Sequence, residues 1–432
     1  MWNETIESMP LGELRTIQSI RLQKTVERVY LNTPFYRKKM QEIGLEPNDI
    51  QSIDDIVKLP FTTKQDLRDN YPFDLFASPM SEIVRLHASS GTTGRPIVVG
   101  YSRKDLNTWS EVVARSIIAY GGGKNDIFQI SYGYGLFTGG LGLHGGVEKI
   151  GGTVIPMSSG NTDKQIMLMR DFGATAIACT PSYALFLGEA MRDMKVPREQ
   201  LKLRFGAFGA EPWTENMRKE IEEKLGIKAY NIYGLSEIVG PGVSYECEFQ
   251  NGSHINEDHF FPEIIDPNTL QPLEPGATGE LVFTTITKEG MPLLRYRTKD
   301  LCSLIYDKCE CGRTFVRMTR IIGRSDDMLI IRGVNIFPSQ VESVILEMEE
   351  FEPHYLLVVD RINNLDTLQI QVETRPEYFS DEINKMLILK KKITHRLQSV
   401  LGIAADVKLM EPRSLERSIG KAKRVIDNRN LT

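Results

Sequence analysis

The sequence predicts an α/β protein: a large N-terminal domain of layered, mostly parallel sheets, a small β subdomain within it, and a small α+β domain at the C-terminus. Three observations predict this. Apolar β-type runs alternate with helical stretches between about residues 104 and 235, the pattern of parallel strands joined by crossover helices. From about 260 to 322 short strands are separated by turns rich in Pro, Gly and Asp, an antiparallel texture. After Gly323-Arg324-Ser325-Asp326-Asp327 the pattern changes again, to a helix, two strands and a long helix. The domains are set at 1–325, with the β subdomain at about 245–322, and 326–432.

Taken in order, Met1 to Lys24 mixes Glu, Arg and Lys with apolar residues. It reads as two amphipathic helices rather than a secretory signal. Strands are predicted at Ile127–Ile130, Thr153–Met157, Thr175–Cys179, Leu203–Phe208 and Ala229–Ile232. Helices are predicted between them at Leu106–Ala119, Asp163–Asp171, Tyr183–Met194 and Thr214–Leu225. Such sheets bind ligands beyond the carboxyl ends of their strands, so the loops Tyr132–Gly140, Gly206–Pro212 and Tyr233–Glu237 are the ones to watch. The β subdomain carries strands at Gly279–Ile286 and Leu294–Arg297. The C-terminal domain carries a helix at Val341–Glu349, strands at Tyr355–Asp360 and Thr367–Glu373, and a helix at Asp381–Val400.

A chain of 432 residues exceeds a single core, which agrees with more than one domain. Its hydrophobic fraction of 41% and charged fraction of 25% are those of an ordinary soluble globular protein. The net charge of −5 argues against general nucleic-acid binding and against an anionic membrane surface. No apolar run reaches membrane-spanning length, so a cytoplasmic enzyme is expected. The five cysteines are an odd number in a large chain and suggest no disulfide framework.

Ser89-Ser90-Gly91-Thr92-Thr93-Gly94-Arg95-Pro96 packs four hydroxyls and two glycines into its first six positions. Hydroxyls and free backbone N–H groups are what a loop presents to phosphate oxygens, and glycine admits close approach. The Gly-Lys-Ser/Thr of a Walker loop is missing. A second grouping carries metal chemistry. Cys247 and His254, with Cys309 and Cys311, fall near the predicted β subdomain. Three thiols and one imidazole suit a closed tetrahedral Zn²⁺ site of structural purpose. The competing reading is four unrelated residues with Cys247 simply buried. His259 is the reserve ligand, and Cys302 reads as a strand residue.

Five segments fall in a telling order: the loop at 89–96, Tyr233-Gly234-Leu235-Ser236-Glu237, Tyr296-Arg297-Thr298-Lys299-Asp300, Gly323-Arg324-Ser325-Asp326-Asp327 with Arg332-Gly333, and Ser418-Ile419-Gly420-Lys421-Ala422. Together they resemble the acyl-adenylate-forming superfamily. Leu59-Pro60-Phe61-Thr62-Thr63-Lys64, Tyr132-Gly133-Tyr134-Gly135-Leu136-Phe137-Thr138-Gly139-Gly140 and Arg332-Gly333-Val334-Asn335-Ile336-Phe337-Pro338 extend the resemblance over nearly the whole chain. They make it closest to the phenylacetate–coenzyme A ligases.

That resemblance implies the following roles. Ser89, Ser90, Gly91, Thr92, Thr93 and Gly94 cradle the ATP phosphates, and Glu237 holds Mg²⁺. Tyr233 and Gly234 lie along the adenine, with Ala210, Glu211 and Pro212 as the facing wall. Asp300 accepts the ribose hydroxyls, and Arg324 adds a charged donor to the nucleotide. Lys421, and not Lys423, bridges the attacking carboxylate and the α-phosphate. Tyr132, Tyr134, Gly135, Phe137 and Gly139 hold a flat aryl group, since glycine leaves volume and aromatics offer edge contacts. The C-terminal domain is a mobile lid hinged at Asp326, and Arg332, Gly333, Val334 and Asn335 form the coenzyme A face after it rotates. Arg95 stands where the family usually has lysine, a change of phosphate-binding geometry at constant charge.

The expected reaction joins phenylacetate or a related aryl acid to coenzyme A through an acyl-adenylate, releasing AMP and pyrophosphate. A carboxylate is a poor acyl donor, and adenylation supplies the leaving group. The alternatives are an adenylating enzyme for another aryl acid, or one that loads a carrier-protein pantetheine. A nucleotide-binding regulator without turnover is disfavoured because it needs neither Lys421 nor Glu237. The resemblance also suggests a homodimer.

Overall fold

Short runs of small and branched apolar residues build the centre of the largest sheet. Ala176–Cys179 and Phe205–Phe208 are buried at every position, as parallel strands covered on both faces must be. The computed structural model describes residues 1–89, 96–325, 329–332, 334–362, 365–380, 382–417 and 423–429. They fall into two compact units: 1–179, 197–210 and 227–320 in the first, and 180–196, 211–226 and 321–432 in the second.

The first unit carries fourteen strands among its described residues: β1 Ile83–Ala88, β2 Val98–Ser102, β3 Ile127–Ile130, β4 Thr153–Ile155, β5 Ala176–Cys179, β6 Phe205–Phe208, β7 Lys228–Leu235, β8 Gly240–Tyr245, β9 Ser253–Ile255, β10 Phe260–Ile265, β11 Gly279–Thr285, β12 Tyr296–Cys302, β13 Leu304–Ile305 and β14 Arg317–Met318. Nine of these form one sheet, in the order β13-β14-β9-β8-β7-β6-β5-β3-β4. From β4 to β7 the pairing is parallel, and from β7 to β13 it is antiparallel. Strands β10, β11 and β12 pair antiparallel in a separate sheet. The antiparallel strands are thus divided between two sheets instead of forming one subdomain. Strands β8 and β9 continue the sheet of β7 because the chain turns back before Gly240, and β14 and β13 then add beyond β9.

The predicted alternating strands and helices of the first half match the observed elements to within a few residues. Two differences have clear causes. A helix at Gly139–Lys149 follows β3, beginning at the end of the expected loop Tyr132–Gly140, where no helix was predicted. Its glycines lie against the helix Arg103–Ala119: a Cβ on Gly142 would stand 2.3 Å from the Trp109 ring, and one on Gly146 would stand 2.2 Å from Val113 Cγ1. Close packing overrides the poor helix propensity of glycine here. The strand predicted at Leu294–Arg297 instead begins at Tyr296. Arg295 is left-handed at φ 41°, a conformation incompatible with a strand.

Helix Arg103–Ala119 starts at a capping box in which Ser102 accepts from the Asp105 N–H, relieving an orphan donor. The Asp105 carboxylate also accepts from the Glu289 and Gly290 N–H groups at 2.7 and 2.8 Å. One acid therefore caps a helix and anchors the turn after β11.

In the second unit the strands are β15 Gly323–Arg324, β16 Leu329–Ile331, β17 Val334–Ile336, β18 Phe351–Ile362, β19 Leu365–Thr374, β20 Asp406–Met410 and β21 Val425–Asp427. The order β20-β19-β18-β21 makes one sheet, with β18 and β19 antiparallel and the outer strands parallel to their neighbours. Its core joins Leu357, Val359, Ile370 and Val372 to Val341 and Ile345 of helix Pro338–Leu346 and to Ile393 and Leu397 of helix Ile383–Leu401.

Candidate active site

Three loops at the carboxyl ends of β3, β6 and β7 meet around a cavity of about 100 Å³. Tyr132, Phe137, Thr138 and Gly139 come from the first, Ala210 from the second, and Gly234, Leu235 and Ser236 from the third. Tyr132 is buried, and its hydroxyl donates to Cys179 O at 2.6 Å, with Gly209 O at 3.2 Å. That fixes the ring as a wall. Gly139 lies between Tyr132 and Phe137, and a Cβ there would stand 2.8 Å from Phe137 Cε1. Tyr134 is engaged elsewhere: its hydroxyl bonds His144 Nδ1 at 3.2 Å, and the two rings meet edge-on. Among the described residues, no atom lies within 4 Å of the Cβ position of Gly135.

The β1–β2 hairpin brackets the predicted phosphate loop. Ser89 N donates to Ile97 O at 3.0 Å, and Ile97 N donates to Ser89 Oγ at 3.3 Å. Ala88 N donates to Leu136 O at 3.0 Å, joining the base of this loop to the loop that lines the cavity. Ser90, Gly91, Thr92, Thr93, Gly94 and Arg95 lie outside the described residues.

Glu237 follows β7 in a turn held from three directions. The Lys288 amine donates to Glu237 O at 3.0 Å and Ile238 O at 2.7 Å. The Tyr101 hydroxyl donates to Val239 O at 3.1 Å and lies 3.3 Å from Ser236 O. The Thr138 and Ser236 hydroxyls bond at 3.0 Å. Burial drives the Lys288 amine down to about 8, although the charges of Asp105 and Glu237 pull it upward. Glu237 itself is buried, and its carboxylate forms no hydrogen bond or ion pair with another described residue. The turn requires glycine at 234, where a Cβ would stand 1.8 Å from Gly240 O.

Tyr233 and Asp300 are joined across β7 and β12 by a 2.6 Å bond from the phenol to Asp300 Oδ2. Asp300 is buried, and its N–H donates to Thr298 Oγ1 at 3.0 Å. The Tyr233 phenol therefore helps fix the direction of the carboxylate.

In the second unit, Glu211 accepts from the Ser182 N–H at 2.7 Å, at the start of helix Pro181–Asp193. Pro212 follows it, and Arg324 is half-buried in β15. The Arg332 guanidinium donates to Asp366 O at 3.0 Å and Ala404 O at 3.1 Å. Val334 packs against the core from β17, the strand that also holds Asn335. Asp326, Gly333 and Lys421 lie outside the described residues. The segment leading to Lys421 is held by Glu373. This carboxylate is fully buried and accepts from Arg413 N, Leu415 N and both terminal nitrogens of Arg417, the last two at 2.8 Å.

Residues 36–287 match the family described as AMP-binding enzyme, and residues 333–429 match the AMP-binding enzyme C-terminal domain. A phenylacetate–coenzyme A ligase of Thermus thermophilus is 50% identical over 99% of this chain and 100% of its own. Ligases of the same name from Escherichia coli and Aromatoleum evansii are 51% and 52% identical, over 99% of this chain and 98% and 97% of theirs. The chain belongs to the phenylacetate–coenzyme A ligase family. Among solved structures, 2-hydroxyisobutyryl-CoA ligase in its postadenylation state, in complex with R3-HIB-AMP, superposes with a TM-score of 0.93 at 29% identity, over 98% of this chain and 92% of that one. ATP-dependent joining of an acid to coenzyme A through an acyl-adenylate is the reaction class of this family. Among the described residues no helix is long and apolar enough to cross a membrane.

For a ligase of this family, three supporting residues carried no signal in the sequence. Lys288 sits in an ordinary turn, Tyr101 in a short strand, and Glu373 at the end of another. Each acts on a partner more than forty residues away, and chain spacing holds no trace of that. The thiol–imidazole quartet was legible as donors. The structure adds that the ligand atoms of Cys247, His254, Cys309 and Cys311 all lie within 4.8 Å of one another. His259 is occupied, its Nδ1 bonding the Thr287 hydroxyl at 2.8 Å and its Nε2 lying 3.1 Å from Asp258. Cys302 is buried in β12.

Proposed function

We propose that the protein converts phenylacetate, or a closely related aryl acid, and coenzyme A to the aryl-acyl thioester, spending ATP and releasing AMP and pyrophosphate. The observation that carries this reading is the full-length identity of about half to three phenylacetate–coenzyme A ligases. The small cavity walled by Tyr132, Phe137 and Gly139 supports it, because aromatic edges and glycine-made space suit a flat ring.

In this reading Glu237 holds a Mg²⁺ that offsets the charge of the phosphates, consistent with how sparingly magnesium takes protein ligands. The loop 89–94 binds the phosphates, Tyr233 and Asp300 orient the adenosine, and Lys421 draws the acid carboxylate onto the α-phosphate. Positioning and charge neutralisation supply most of the rate, since adenylation asks the protein for no covalent bond. The lid then turns at Asp326 so that residues 332–335 face the thiol, replacing one catalytic surface with another. The enzyme works in the cytoplasm as a homodimer. The Cys/His quartet supplies no group to either half-reaction.

Acid-dependent exchange of labelled pyrophosphate into ATP tests this directly. Phenylacetate is expected to support faster exchange than short aliphatic acids, and thioester is expected to form only with coenzyme A. Exchange driven equally well by every acid would overturn the substrate; none with any acid would overturn the reaction.

A further inference from the structure

We infer that Cys247, His254, Cys309 and Cys311 bind one Zn²⁺ and that this ion docks the N-terminal segment onto the rest of the first unit. Tetrahedral Zn–S bonds of about 2.3 Å place two thiolates about 3.8 Å apart, and a Zn–N bond of about 2.0 Å places imidazole nitrogen about 3.5 Å from a thiolate. The structure has Cys247 Sγ and Cys309 Sγ 3.7 Å apart, and Cys311 Sγ 3.3 Å from His254 Nε2. His254 Nδ1 faces Phe315 O at 3.4 Å. An Nδ1–H donating to that carbonyl leaves the Nε2 lone pair for a metal, the usual way an outer partner orients a histidine ligand. All five cysteines are free, and 3.7 Å is far beyond the S–S bond length of about 2.05 Å.

The donor set selects the metal. Thiolates and imidazole suit zinc, whereas magnesium and calcium take oxygens. Four protein donors leave no open position, so the ion is structural. The ligands come from two places that the fold must hold together. Tyr245 and His254 pair across β8 and β9, with Cys247 just beyond β8. Cys309 and Cys311 lie on a separate turn, closed by Gly312 N donating to Cys309 O at 3.0 Å and by the left-handed Gly312.

That turn leads straight into the N-terminal segment. Arg313 Nε donates to Glu7 Oε2 at 2.7 Å, and Glu7 is fully buried. Thr314 N donates to Glu7 O at 2.9 Å, and Thr314 Oγ1 donates to Met9 O at 2.7 Å. Glu7 Oε1 in turn accepts from the Trp2 and Asn3 N–H groups at 2.8 and 2.7 Å. Phe315 packs with Met9 and Leu14. A metal that fixes Cys309 and Cys311 therefore fixes the platform on which residues 2–14 rest.

The test uses full-length protein expressed in zinc-replete medium and purified without chelator. Metal analysis is expected to give one zinc per chain, and Co²⁺ exchange to give the thiolate charge-transfer and intense visible bands of a tetrahedral site. Cys311→Ser is expected to lose most of the zinc, while Cys302→Ser keeps it. Amide exchange in residues 2–9 is expected to speed up when zinc is stripped from the wild type, a readout independent of whether Cys311→Ser folds. Folded wild-type protein that contains no zinc and takes up neither Zn²⁺ nor Co²⁺ would overturn the site, as would full zinc content in Cys311→Ser. Unchanged exchange at residues 2–9 after stripping would overturn the docking.

Discussion

The Tyr233 hydroxyl donates to Asp300 Oδ2 at 2.6 Å, so the residue proposed to line adenine also orients the residue proposed to hold ribose. Tyr233→Phe removes one hydrogen bond to a charged acceptor, worth about 1.5–3 kcal/mol. The KM for ATP is expected to rise by about 10-fold, with kcat nearly unchanged. Asp300→Ala removes the acceptor itself and is expected to cost more. Equal, small effects for both variants would separate Asp300 from the nucleotide.

Glu237 and Lys288 are expected to behave as a ligand and its support. Glu237→Gln should shift the Mg²⁺ titration of pyrophosphate exchange to higher concentration. Lys288→Met leaves the carboxylate in place but releases two carbonyls of its turn. An outer partner of a metal ligand is typically worth about 10–100-fold in affinity or activity, and a milder shift in the same direction is expected. An unchanged titration in Glu237→Gln would remove it from the metal.

Lys421→Ala is expected to slow adenylation by about 10²–10³-fold, the scale of losing one preorganised charge. Coenzyme A transfer to preformed phenylacetyl-AMP should be spared. Glu373→Gln weakens the clamp on Arg417, four residues before Lys421. It should slow adenylation more gently and speed amide exchange over residues 413–417. Equal loss in both half-reactions would count against both assignments.

Burial pushes the Glu342 carboxyl up to about 7, against the pull of Arg424, with Glu211 adding to the rise. Because its folded value lies above its unfolded value of about 4.5, the folded state holds the proton more tightly in between. Stability is therefore lost as pH rises from about 4.5 to about 7, by an amount on the order of 2–3 kcal/mol. Glu342→Gln is expected to raise the melting temperature at pH 8 and to leave it little changed at pH 4.5. Thermal melts at both pH values check the sign.

Gly139→Ala puts a methyl against Phe137 and Tyr132. A methylene-sized change in an apolar pocket typically alters discrimination by about 10-fold or more. kcat/KM for phenylacetate should fall while acetate, if it reacts, is unaffected. A uniform loss for both acids would mean a folding defect instead.

The parallel strands were legible because β5 and β6 are apolar throughout, and such runs have few other fates. The loops at their carboxyl ends followed from that, and with them Tyr132, Phe137 and the Glu237 turn. The helix Gly139–Lys149 was not legible, because five glycines in eleven residues read locally as a loop. Only the surfaces of Trp109 and Val113, some thirty residues earlier, explain them. Division of the antiparallel strands between two sheets was hidden for a similar reason: pairing partners are chosen in space. The grouping of helices Pro181–Asp193 and Glu215–Leu225 with the C-terminal segment in one unit is likewise a matter of tertiary contact that no local pattern announces.

The glycine-backed helix sets a limit on how this protein's proposed acid site can change. Its first turn lines the cavity proposed to hold the acid, and its body is seated on Trp109 and Val113 with no room for a methyl group at Gly142 or Gly146. It can neither retreat nor roll to admit a bulkier acid. Broader specificity must come from trimming side chains such as Phe137, and attempts to remodel the backbone there should yield unfolded protein before they yield a new enzyme.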